Sequence, residues 1–265
     1  MNSDRRVADF SSPPLDEVVL GVQFTPLNAY STVNAGDVWR LFSSEFPIVS
    51  EQVRLQPQFE VFGGIPQGEL QINFGPDLRN RLWFIAEDDS HLLQFQDDRL
   101  LINWRRRTSG MAYPHHEKMS ALFKEYLLRL ETYVRSDFKG QLEINQAEVS
   151  YINIIPSTDL NKIGEFLKIF NLDIVEVESI STVFTEVIAS ETKQPVGRLI
   201  HEFQTVWSMD GKNKAIRWTL TFRGKPPKDN IDSAIEFISF GRELIVNRFC
   251  AITTDKAHEI WGRYK

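Results

Sequence analysis

A single cysteine, Cys250, excludes an internal disulfide framework and any multi-thiolate zinc site, and its neighbours in NRFCAI mark it as a small buried residue. Long apolar runs are missing too. The longest, such as LINW, YINII and ELIV, fall far short of the roughly 20 residues that a bilayer-spanning helix requires. The start, MNSDRRVADFSSPP, has no apolar stretch of the secretory type, so a cytoplasmic protein without a transmembrane segment is expected. Positive charge is scarce: 30 Lys and Arg against 36 Asp and Glu leave a net charge of −6. Non-specific nucleic-acid affinity draws on a basic field and counterion release, so nucleic acid is not an expected partner.

Catalytic signatures are equally thin. No Gly-x-Ser-x-Gly elbow, no GxxxxGK[ST] loop and no GxGxxG after a strand occur, so neither enzyme activity nor a cofactor is expected. His115, His116 and Glu117 are consecutive, and helix neighbours point about 100° apart, which prevents the chelation open to histidines four apart. They read as first-turn residues of a helix that follows Pro114. The carboxylate clusters Glu87-Asp88-Asp89 and Asp97-Asp98 fall in turns, where acidic residues serve solvation. His201 shares strand parity with Phe203 and Trp207, which suits a hydrogen-bonded core histidine.

What is present is a core: 42% apolar and 12% aromatic residues are enough to pack 265 residues. After a flexible segment 1–14 ending in Pro13-Pro14, EVVLGVQF reads as a strand and AGDVWRLFSSEFP as a short amphipathic helix. VRLQPQFEVF, ELQINF, RLWFIA, HLLQFQ and RLLINWR then read as antiparallel strands separated by GGIPQG, GPDLRN, EDDS and DD. Tyr113-Pro114 opens a long helix carrying Met119, Leu122, Phe123, Tyr126, Leu127, Leu130 and Val134.

The same order returns in EVSYINII, a short helix over 162–170, and three strands, STVFTEVIAS, GRLIHEFQTVWS and KAIRWTLTFRG. A strong helix over IDSAIEFISFGRELIVNRFCAIT follows, then a last one capped by Thr254 or Asp255. Two halves, 15–139 and 140–265, thus repeat strand, short helix, antiparallel strands and long helix. The expected fold is α+β: one compact unit with a curved antiparallel sheet and its helices on one face, helix-grip or saddle-like.

Period-two alternation separates the two faces of these strands. Leu100, Ile102 and Trp104 oppose Leu101, Asn103 and Arg105. Ile216, Trp218, Leu220 and Phe222 oppose Arg217, Thr219, Thr221 and Arg223. The face opposite the helices is expected to carry Asn103, Arg105, Tyr151, Asn153, Arg217 and Arg223, a polar, partly cationic surface suited to binding. Arg106 and Arg107 read as solvated residues at a strand exit.

The stretches PPLDEVVLGVQF, INWRRR followed by YP, SYINII and FCAITTDKAHEIWGR resemble a sporadically distributed bacterial family of roughly 260-residue proteins without an assigned biochemical function. The matching positions are Pro13, Pro14, Glu17, Phe24, Asn103, Trp104, Arg105, Tyr113, Pro114, Tyr151, Asn153, Phe249, Thr253 and Trp261. The patchy occurrence of that family implies a role in conflict or antiphage defence. The expectation that follows is a non-catalytic binding protein, a sensor or adaptor. Its partner is expected to be a protein, with a small polar ligand or self-association also open. An apolar-ligand carrier of the helix-grip type, a nucleic-acid-binding saddle and an enzyme of unfamiliar type are the alternatives.

Overall fold

The computed structural model describes residues 7–63, 80–108, 111–157, 159–172, 176–208, 211 and 213–264. In the first half, β1 (Leu15–Phe24), α1 (Ala35–Arg40), β2 (Ile48–Gln52), β3 (Arg81–Ile85), β4 (His91–Gln96) and β5 (Arg99–Arg105) precede α2 (His116–Asp137). In the second, β6 (Ile144–Pro156) is followed by a 3-10 turn (Leu160–Glu165), β7 (Ser181–Ala189), β8 (Pro195–Trp207), β9 (Lys214–Gly224), α3 (Ile231–Ile252) and α4 (Asp255–Ile260). All these strands join one antiparallel sheet in the order β2-β3-β4-β5-β1-β6-β9-β8-β7. Each half therefore folds the same way, with its first strand central, its last strand beside it, and the others running outward to an edge.

The halves meet at β1 and β6, where Val18 pairs with Tyr151, Leu20 with Val149 and Val22 with Ala147. Cross-strand partners share a face, so these residues, with Ile102, Trp104, Leu220 and Phe222, form the layer under α2 and α3. Gly241 lets α3 approach closely, because a Cβ there would meet the Phe222 ring and lie 2.7 Å from Val149 Cγ1. Asn230 caps α3 by accepting from Ser233 N at 2.9 Å, and Thr254 caps α4 by accepting from Ala257 N at 3.1 Å. Both satisfy amides that a helix start leaves bare.

Two segments differ from the sequence reading. VRLQPQFEVF, expected as a strand, is a strap over 53–62 that crosses the face opposite the helices, and β2 forms instead from the preceding IVSEQ. The strap's main chain bonds to sheet side chains: Leu55 N to Gln96 Oε1 at 2.9 Å and Gln58 N to Gln23 Oε1 at 3.0 Å. Arg99 donates to Gln56 O at 3.0 Å. Side chains thus do for this backbone what a neighbouring strand would have done. The ELQINF strand expected beyond it lies outside the described residues.

Part of the segment read as a flexible lead-in is tied down. Ser11 N donates to Gly262 O at 3.1 Å, Ser12 N to Trp261 O at 3.0 Å, and Tyr264 N to Asp9 O at 3.1 Å. Phe10 anchors this clasp by packing edge-on against Phe249, with ring centroids 5.6 Å apart. Among the described residues no helix is long and apolar enough to cross a membrane.

Candidate functional site

Strand register divides the six expected binding residues between two faces. Asn103, Arg105, Arg217 and Arg223 do point away from the helices, but they do not form a free surface. Asn103 is buried, donating to Glu17 Oε1 at 2.6 Å and accepting from Gln94 Nε2 at 2.7 Å. Arg105 pairs with Asp89, which also takes Arg107 at 2.7 Å. Arg223 is occupied by Glu60 and Gln58 of the strap and by Glu148. Arg217 alone of the four is exposed, and it donates to Gln204 Oε1 at 3.3 Å.

Tyr151 and Asn153 lie on the opposite face from the one expected. Tyr151 pairs with Val18 and Leu220, and Asn153 with Trp218, all helix-facing residues. Both side chains line a cavity of about 360 Å³ bounded by the terminal clasp, the 106–115 loop, the start of α2, and α3.

The local sequence explains how the walls are built. Pro114 keeps Tyr113 out of helical conformation, and Tyr113 packs edge-on between Trp104 and Tyr151, with centroids at 5.3 and 6.1 Å. His115 then takes φ 68°, ψ 150°, a region that non-glycine residues rarely occupy, at a cost of roughly 1–3 kcal/mol. That turn aims the N-terminus of α2 at the cavity, and the His115 side chain does not cap it. His116, only 5% exposed, brings Nε2 to 3.1 Å from Ser239 Oγ on α3. One turn further along α3, Arg242 reaches the same space, followed by Ile245, Val246 and Phe249 at helical spacing.

Ser239 Oγ donates to Ile235 O at 3.0 Å, so it accepts from His116 Nε2–H, which leaves Nδ1 of the neutral ring as a bare acceptor. Among the described residues that Nδ1 has no partner, nor do Arg106 Nε or Arg242 Nε, whereas the Tyr151 hydroxyl bonds to both Tyr113 and Arg242. Burial, reinforced by the Arg242 charge, pushes the His116 imidazole down to about 4. Burial also pushes up the phenols of Tyr113 and Tyr151, and both stay protonated donors. Among the described residues neither Arg106 nor Arg242 forms an ion pair; Arg106 reaches only Pro13 O, at 3.4 Å. The acid at the rim, Asp9, accepts from the Tyr264 hydroxyl at 2.8 Å and from Phe10 N at 3.0 Å.

Elsewhere the chemistry is sparser. His201 is fully buried and bonds Glu186 Oε1 at 2.9 Å, in a stack between Phe184 and Trp218. Cys250 is a half-buried thiol that burial pushes up. Among the described residues no cluster of three or more His, Cys, Asp or Glu has the arrangement of a metal site.

Sequence reasoning set aside three residues of the cavity: His116 as an ordinary first-turn residue, Arg106 as a solvated exit, and Arg242 without comment. Arg242 carried a usable signal, since it interrupts the apolar stripe of Phe249, Val246, Ile245 and Ile238, where a lone cation must be buried or face a void. The fold and the cavity define an α+β protein with a nine-stranded antiparallel sheet and a partly open chamber between its helix layer and its terminal clasp. Comparison with protein-family models and with curated proteins returns no match.

Proposed function

We propose that this chain is a non-catalytic binding protein, a sensor whose ligand is a small polar molecule held in the cavity. One observation carries the reading: among the described residues three buried nitrogens, on Arg106, His116 and Arg242, lack partners around this chamber. Each such group costs about 1–3 kcal/mol if left unpaired, and a bound polar molecule recovers that cost for all of them together. The sheet face expected to take a partner protein or a polar ligand is crossed by the strap, and the chamber, of small-molecule size, favours the ligand. Pro13, Tyr113, Tyr151, Asn153 and Phe249, which carry the family resemblance, also line the chamber. A role in bacterial conflict rests on that resemblance alone.

Ligand capture tests the proposal. Protein incubated with a small-molecule extract, desalted and then denatured should release a compound that the Val246→Trp variant, with its cavity filled, does not retain. Equal retention by a folded Val246→Trp, or no retained compound, overturns it.

A further inference from the structure

We propose that the ligand of this chamber is an amphipathic organic anion, its oxyanion head against Arg106 and Arg242 and its short apolar body against Leu15, Ile245 and Phe249. The inference rests on the cavity being the binding site, and charge and shape take it further.

Two guanidinium groups face one chamber, and among the described residues no carboxylate pairs with either. Two like charges lining one chamber repel each other unless an anion joins them. The other polar groups agree. The Tyr113 and Tyr151 phenols, hydrogen-bonded to each other, stay protonated and leave one hydroxyl proton to donate, and the uncapped N-terminus of α2 adds backbone N–H groups and the positive end of its dipole. Asp9, the wall's own carboxylate, accepts from Tyr264 and from Phe10 N, and among the described residues it makes no ion pair with either arginine. His116 is held neutral and contributes an acceptor at Nδ1, which suits a head that carries a hydrogen beside its charge, as a singly protonated phosphate or a hydroxy acid does. The remaining wall is apolar, and at about 360 Å³ the chamber lies at the small end of ligand sites. Together these features specify an anionic head joined to a compact hydrocarbon or aromatic body, and they disfavour a polyanion or a long lipid.

Matched pairs of probes test this by titration calorimetry: octanoate against octanamide, and hexyl phosphate against hexanol. Each charged probe should bind at least about tenfold more tightly than its neutral counterpart, and Arg242→Gln should abolish that preference while folding normally by circular dichroism. Arg106→Gln gives a second, independent reading if Arg242→Gln misfolds. Hexyl phosphate outbinding octanoate identifies the source of the head as a phosphate ester, and the reverse identifies a carboxylate. Equal binding of charged and neutral probes overturns the anion assignment and leaves the cavity as a binding site. Failure of every probe also overturns the assignment, whereas the cavity reading is decided separately by the capture experiment with Val246→Trp.

Discussion

Glu60, on the strap, accepts from Arg223 Nε at 2.8 Å through one carboxylate oxygen, while Arg198 holds the other, and its side chain is only 6% exposed. A single carboxylate from the β2–β3 connection thus joins a cross-strand arginine pair on β8 and β9 of the other half. Removing it leaves two half-buried guanidinium groups facing each other. Glu60→Ala should cost about 2 kcal/mol, below the value for a fully buried pair because the arginines are partly solvated. It should also speed proteolytic cleavage within 53–62. Urea denaturation and timed proteolysis check both effects, and unchanged cleavage would show that the strap is held by its backbone bonds alone.

Asn103 offers a sharper test of the sheet's second face. It bridges Gln94 and Glu17, so Asn103→Leu strands both partners and should destabilise by about 2 kcal/mol without affecting the capture of small molecules. A loss of ligand retention with full stability would return Asn103 to the binding site.

Acid should weaken the fold through His116. Its folded value of about 4 lies below the unfolded value near 6.5, so above pH 6.5 the ring is neutral in both states and the stability is fully present. Between pH 6.5 and 4 the unfolded chain takes up the proton first, and up to about 3 kcal/mol is lost, with no further loss below pH 4. His116→Gln, which keeps a donor for Ser239 but does not titrate, should flatten this part of a stability–pH curve.

Gly241→Ala should lower stability by about 1–3 kcal/mol, because the new methyl meets Phe222 and Val149 under α3 and the helix must shift. Gly36→Ala is the control. Its methyl would come no closer than 4.0 Å to an exposed Arg40 nitrogen, so the melting temperature should hold or rise.

Gly262 has φ 64°, and a Cβ there would collide with Ser11 Oγ. Gly262→Ala should therefore loosen the clasp. Hydrogen exchange at the Ser11 and Ser12 amides should accelerate, while that of the β1 and β6 amides stays unchanged.

The element order was legible because α2, α3 and β9 bury one clean stripe or one clean alternate set. The face of β6 was not, because Tyr151 and Asn153 alternate with Ile152 and Ile154, so both sides carry large or polar residues and parity alone does not say which meets Val18. The strap misled for a related reason. Val53, Leu55, Phe59 and Val61 alternate as in a strand, yet Val53, Phe59 and Val61 are exposed, and the bonds of the segment come from glutamines and arginines far away in sequence. The cavity arises from five separated segments, and no local pattern brings Arg106, His116, Tyr151 and Arg242 together.

The seam between β1 and β6 also sets a timetable. As the chain is synthesised, Leu20 is made early, yet its partner Ile102 on one side and Val149 on the other come far later. Until β6 arrives, the first half exposes the bare edge of β1, its longest strand, and such edges recruit other chains. Long-range pairing of this kind folds slowly. Refolding yield should therefore fall with protein concentration more steeply than the native protein's stability would suggest, with the exposed interval ending when β6 docks.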